Sequence, residues 1–156
     1  MGIRYLAISI DLDDYLRISA GACPTCGARP HTRQPDYGQP EPDVLDLDKC
    51  WGYLQRLFDS MDLRAAAELV AGHVTHTPTG WISHQGTVAP DRVPALAHEL
   101  ASVSVDQTRS LFQENGEWAD HRSEGDFGYV SSYLTRAVSF AEKVARDNRG
   151  IVYYIG

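Results

Sequence analysis

Ile3-Arg4-Tyr5-Leu6-Ala7-Ile8-Ser9-Ile10 is a run of apolar and β-forming residues with a single charge near its start. Apolarity this continuous marks a strand covered on both faces; a strand with one wet face would alternate. Its counterpart lies at the other end of the chain, Ile151-Val152-Tyr153-Tyr154-Ile155. A terminal strand this apolar must pair within a sheet, and the first and last strands are natural neighbours there. The order of the remaining strands does not follow from the sequence. The residues between carry mostly helical periodicity. The expected fold class is therefore α/β in the α+β sense: a small sheet including the N-terminal and C-terminal strands, packed against several helices.

The chain has 156 residues, 43% hydrophobic and 22% charged. That length fits one domain, residues 1–156, with a core that needs no disulfide to hold it. No basic region leads into a long apolar stretch at the N-terminus, and no window approaches the roughly 18–20 apolar residues that span a bilayer. Met1-Gly2 invites a myristoylation reading, but Leu6 stands where Ser or Thr is required. A cytoplasmic protein without a membrane partner is expected. The formal charge of −7 opposes the attraction to phosphate that drives nucleic-acid binding. The nearest approach to a basic cluster, Arg29, His31 and Arg33, is diluted by Pro30 and Pro35. Nucleic acid is not an expected partner.

Moving inward from the first strand, Tyr15, Leu16 and Ile18 suggest one short helix behind Asp11, Asp13 and Asp14. Further on, Leu47, Trp51, Leu54 and Phe58 fall on one helical stripe, with Asp46 or Asp48 placed to cap its start. A second helix is expected from Leu63 to Ala71, ended by Gly72. The stretch from His73 to Pro90 reads as loop and short extended segments, with Gly80 and Gly86 as turns. Pro90-Asp91 is a helix-start signature for the helix carrying Val93, Leu96, Ala97 and Leu100. Another helix runs from about Val105 to Phe112, with Ser104 or Asp106 near its start. In the last and longest, Val130, Leu134, Ala137, Ala141, Val144 and Ala145 repeat at helical spacing, and Gly150 is placed to cap it.

Residues 22–43 differ in kind. They hold five of the eight prolines, Pro24, Pro30, Pro35, Pro40 and Pro42. Proline at this density sustains neither a helix nor a central strand, so the segment is an excursion from the core. Long structureless excursions in small domains usually have a function or a staple. Cys23-Pro24-Thr25-Cys26-Gly27 has the form of a zinc knuckle: two thiolates two residues apart can reach one ion from a tight turn. A structural zinc needs four ligands, and Cys50 and His31 are candidates to complete a Cys₃His set. Three rivals stand beside zinc. A thioredoxin-like redox pair expects a helix starting inside the motif, where Gly27 and Pro30 oppose one. A disulfide is disfavoured in a cytoplasmic chain. The third is simply unligated, reduced thiols.

Standard catalytic motifs are missing: there is no nucleophile elbow, phosphate loop, dinucleotide glycine pattern or His-Glu-x-x-His. His73 and His76 stand three apart, but beyond the helix that Gly72 ends, so the plain reading is surface histidines. His98, beside Glu99, is expected to face solvent. Trp51 lies on a helical stripe and is expected to pack. Trp81, His84, Trp118, Asp120 and His121 recur in loop-like segments, where ligand sites usually sit, and so form a candidate cleft.

Leu45-Asp46-Leu47-Asp48-Lys49-Cys50-Trp51, leading into a helix, resembles the Asp-Lys-x-Trp segment of the YfbM-like bacterial family of unknown function (DUF1877). Thr87-Val88-Ala89-Pro90-Asp91-Arg92-Val93 is similar to that family's helix start, and the long last helix followed by Arg149-Gly150 and a short strand is similar to its ending. The resemblance spans most of the chain. It implies structural roles only, because the family brings no established reaction and no agreed catalytic residues. The Cys-Pro-x-Cys-Gly excursion departs from the family pattern. Two function classes follow. One is a non-catalytic interaction or accessory module, of immunity type or similar, binding another protein and carrying a structural zinc. The other is a small-molecule binder or enzyme using the loop-built cleft.

Overall fold

The computed structural model describes residues 3–20, 43–114 and 124–156. In chain order the elements are β1 (Tyr5–Ile10), α1 (Leu12–Ser19), β2 (Val44–Asp48), α2 (Trp51–Ser60), α3 (Arg64–Ala67) with a 3₁₀ turn (Glu68–Val70), β3 (Thr75–Thr77), β4 (Gly80–Ile82), β5 (His84–Val88), α4 (Val93–Ser102), α5 (Val105–Glu114), α6 (Glu124–Arg146) and β6 (Gly150–Ile155). The main sheet has the order β2-β1-β6-β5, and β3 pairs with β4 as a separate hairpin. β1 and β6 are antiparallel neighbours at its centre, Tyr5 opposite Ile155 and Ile10 opposite Gly150. The α+β expectation, with both terminal strands in one sheet, holds.

Strand alternation divides the sheet into two faces. Tyr5, Ala7, Leu45, Leu47, Val88, Ile151, Tyr153 and Ile155 point into the main core with Leu54, Leu57, Phe58, Leu96, Leu100, Val130 and Val144 from the helices. On the far face, Ile8, Ile10 and Val152 are covered by Tyr15 and Ile18 of α1. That cover is incomplete. Leu6 shares this face and is 41% exposed, so β1 is enclosed on both sides only over its C-terminal half.

Leu47 belongs to a strand, not to a helical stripe. Leu45 and Leu47 are buried while Val44 and Asp46 are exposed, the period of two that a strand imposes. The chain turns between strand and helix: Asp48 takes a left-handed φ of 46°, its N–H bonds Asp46 Oδ1 at 2.7 Å, and Cys50 N–H bonds Leu47 O at 2.8 Å. Asp46 therefore caps this turn, and α2 begins at Trp51 with Cys50 as its cap residue.

Other boundaries follow from local chemistry. Gly72 ends the α3 segment at φ 90°. Glu99 of α4 reaches across to accept the N–H of Ala66 at 2.9 Å, serving the open N-terminus of α3. Ser104 and Gln107 form a reciprocal capping box at the start of α5: Ser104 Oγ accepts from Gln107 N–H and Gln107 Oε1 from Ser104 N–H, both at 3.1 Å. α4 starts at Val93 with Pro94 in its first turn, so Pro90 sits in the preceding turn. Asn148, at φ 51°, makes the left-handed exit from α6, leaving Gly150 as the first residue of β6. Gly86 is no turn either. It lies mid-strand in β5, opposite Tyr153. No described helix is long and apolar enough to cross a membrane.

Candidate functional site

Of the sequence-derived site residues, Cys23, Cys26, His31, Trp118, Asp120 and His121 lie outside the described residues. Cys50 is fully buried and makes no side-chain capping bond to α2. Burial, then the charge of Asp48, pushes its thiol up to about 12, so it is held as the neutral S–H. Beside it Tyr129 packs edge-on against Tyr53 at 6.4 Å and Tyr133 at 4.8 Å, and the Arg136 guanidinium lies 5.1 Å over the Tyr133 ring. Tyr129 is pushed up to about 12, first by burial and then by Cys50.

The histidines are not gathered. His73, His76 and His98 are exposed. Trp81, 41% exposed, stands opposite His76 on the β3–β4 hairpin. His84 turns instead onto the 3₁₀ turn after α3. Its ring tilts 6.1 Å from Tyr153 and covers Gly72 so closely that a Cβ there would meet Nε2 at 2.2 Å. This region is tied by side-chain bonds to backbone carbonyls, one buried and two part-buried: Tyr5 OH donates to Leu69 O at 2.7 Å, Tyr153 OH to Ala71 O at 3.0 Å, and Gln55 Nε2 to Gly72 O at 2.7 Å. Every hydroxyl here is spent on a backbone carbonyl, which makes the network structural. Among the described residues, no group of three or more His, Cys, Asp and Glu is placed to hold a metal ion.

Two surface features remain, and both were missed in the sequence. The first is the far face of the sheet, where Leu6 and Val44 are 41% and 59% exposed; on α1, which covers that face, Leu12 and Leu16 are 54% and 55% exposed. The second is a groove between β2 and α6, lined by Asp43 to Asp46 on one wall and by Thr135, Arg136, Ser139, Phe140 and Lys143 on the other. Lys143 pairs with Asp43 at its end. The periodicity of α6 marks Thr135, Arg136 and Lys143 as outward-facing, while Phe140 is buried; only the strand order shows that they flank an edge.

The family model of the domain of unknown function DUF1877 matches residues 5–154. The chain belongs to the DUF1877 family. Its backbone is similar to the crystal structure of YfbM from Escherichia coli, a protein of unknown function, at a TM-score of 0.60 and 15% identity, over 98% of this chain and 99% of that one. No curated protein matches the sequence. The DUF1877 match runs from the first residue of β1 to the next-to-last residue of β6, so the family unit takes in the whole sheet and both features just described.

Proposed function

We propose that this DUF1877 chain is a non-catalytic protein-interaction module, an accessory or immunity-type protein. The observation that carries this reading is the apolar surface on the far side of the sheet. Large aliphatic side chains scattered singly on a surface need no explanation. Here Leu6 and Val44 share a face, and Leu12 and Leu16 stand one turn apart on the helix packed against it. Aliphatic surface of this kind gains by being covered, at about 25 cal/mol per Å² removed from water. A net charge of −7 steers a partner with a basic surface toward it.

The test uses the full chain as bait in lysate of its own source, beside the Leu16→Asp variant. Leu16 is exposed, so the substitution should leave stability within about 0.5 kcal/mol. The wild type should retain a defined protein and the variant should lose it. If nothing is retained above background at low salt, or the same protein is retained equally by both, the reading falls.

A structural zinc belongs to the same proposal. It is supported by the Cys-x-x-Cys-Gly pattern of Cys23, Cys26 and Gly27, whose two thiolates suit zinc. Cys50 and His31 would complete the ligand set. For Cys50 that role requires the thiol to give up the proton its burial retains. Elemental analysis of protein purified without chelator or added metal should show about one zinc per chain, lost on replacing Cys23 and Cys26 by Ser. Zinc well below one per chain, or zinc unchanged by those substitutions, removes it from the proposal.

A further inference from the structure

The main sheet has two edges, and one of them, β2, opens into the groove beside α6. The wall is formed by consecutive residues, Asp43 to Asp46, which belong alternately to both sheet faces. Only a strand's edge presents consecutive residues in this way. The direction of its backbone groups follows from the ladder. Ser9 N–H bonds Asp43 O at 2.9 Å, Leu45 stands opposite Ala7, and Val44 opposite Ile8. Antiparallel pairing alternates between residues that exchange hydrogen bonds and residues that do not. Residues 43 and 45 therefore face β1, while Val44 and Asp46 turn their N–H and C=O groups outward into the groove. Among the described residues no hydrogen bond reaches these outward groups.

Edge strands are normally guarded by inward charges, prolines or bulges. The bulge of this pair begins just past Asp46, where Leu6 stands opposite Asp46 but Tyr5 opposite Asp48, and leaves Val44 to Asp46 in regular register. Asp46 does not stand guard, because its carboxylate folds back onto Asp48 N–H. The opposite wall supplies side-chain chemistry. Phe140, 6% exposed, offers an apolar floor. Lys143 is already neutralised by Asp43. Arg136 is exposed and forms no ion pair among the described residues, its guanidinium resting on the face of Tyr133.

We infer that the β2 edge is a peptide-docking site: an extended segment of another protein adds as a further strand beside Val44–Asp46 and places an acidic side chain against Arg136. Backbone bonds to Val44 and Asp46 would supply affinity, and the α6 wall would select the side chains, the division of labour seen in strand addition generally. A cation with no ion pair among the described residues is what commits the segment to carrying a carboxylate; a guanidinium stacked on an aromatic face is preorganised to receive one. This inference rests on the interaction-module reading and adds to it a second contact surface, at the β2 edge rather than on the far face.

The probe is a displayed library of short random peptides selected on the full-length protein. Selected peptides should alternate β-forming residues with polar ones and carry an acidic residue at a fixed position. N-methylation walked along one of them deletes one backbone donor at a time without touching the protein. Binding should weaken by about tenfold, the worth of a hydrogen bond near 1.4 kcal/mol, at every second residue and little at those between. Arg136→Glu should weaken binding by a similar factor while leaving the far-ultraviolet dichroism of the protein unchanged. Peptides that tolerate methylation everywhere, peptides indifferent to Arg136→Glu, or no selected peptide at all overturns the site. If lysate capture meanwhile retains a partner through Leu16, the interaction reading survives and only the edge is lost. Peptides showing the alternate pattern with no partner lost on Leu16→Asp uphold the edge and remove only the far face as a contact surface.

Discussion

Replacing Gly86 with alanine should destabilise the protein by about 3 kcal/mol, an effect usually reserved for truncating a large core side chain. Gly86 stands mid-strand in β5 opposite Tyr153 of β6, and the Tyr153 ring folds over it. A Cβ at Gly86 would lie 2.1 Å from Tyr153 Cζ and 2.2 Å from its hydroxyl oxygen. The ring cannot retreat without loss, because it is fixed on two further sides. It stacks on Tyr5 at 5.6 Å and 18° between planes, and its hydroxyl donates to Ala71 O at 3.0 Å. Displacing it sacrifices an aromatic pair worth about 1 kcal/mol, a part-buried hydrogen bond worth about 1 kcal/mol, and packing on top of both. For a chain of 156 residues this corresponds to a melting temperature lowered by roughly 10 °C. A double-mutant cycle gives the cause. In a Tyr153→Ala background the Gly86→Ala step should cost less than about 0.5 kcal/mol, because the ring it collides with is gone. Denaturant titrations of the four proteins measure this, and equal costs in both backgrounds would refute the steric account.

That glycine also shows where sequence reading stops. A lone glycine in a polar, Thr-rich stretch reads as a turn, since nothing local announces that an aromatic ring from the last strand needs its missing side chain. The same blindness produced the helical stripe through Leu47. Leu47, Trp51, Leu54 and Phe58 satisfy a helical spacing as numbers, yet Leu45-Asp46-Leu47-Asp48 satisfies the strand period over the residues that matter. Two periods overlapped, and the left-handed turn at Asp48 that separates them has no strong residue signature. Readings that held were those with one dominant local cause. The apolar runs at the two termini had to pair with something, and the stripes of α4 and α6 had to face a core. Leu6 illustrates the limit even there: β1 is apolar throughout, but α1 is too short to cover its whole far face, and coverage is a property of the neighbour. The β2 groove was unreadable for a related reason. Arg136 and Phe140 look like ordinary members of an amphipathic helix until the order β2-β1-β6-β5 makes their neighbour an edge.

Alkali should unfold this protein well before it has ionised all its tyrosines in the folded state. Tyr5 and Tyr153 are 1% and 3% exposed and Cys50 is fully enclosed. Burial raises all three: Tyr153 up to about 12 from an ordinary 10.0, Cys50 to about 12 from 9.0, and Tyr5 well above 10.0, with the neighbouring Tyr153 adding to it. Each group is neutral when protonated, so a raised folded value means that the unfolded chain loses its proton first. Stability is therefore fully present below the unfolded values near 9 to 10 and is lost as pH climbs through about 12. Within that window each group lowers stability by about 1.4 kcal/mol per pH unit. In the zinc-free protein, where Cys50 keeps its proton, Cys50 and Tyr153 together account for a loss on the order of 5 kcal/mol by pH 12, comparable to the whole stability of an ordinary domain. The denaturant midpoint should accordingly be flat to about pH 9 and then fall steeply. Tyrosinate absorbance should show a cooperative step coinciding with loss of the far-ultraviolet dichroism. Tyr153→Phe separates the contributions. It forfeits the bond to Ala71 O, costing about 1 kcal/mol at neutral pH, but removes one ionising group, so its midpoint should fall less steeply above pH 10. Full tyrosine ionisation with the dichroism intact would show that these hydroxyls are reached by solvent in the native state, and the burial account would fail.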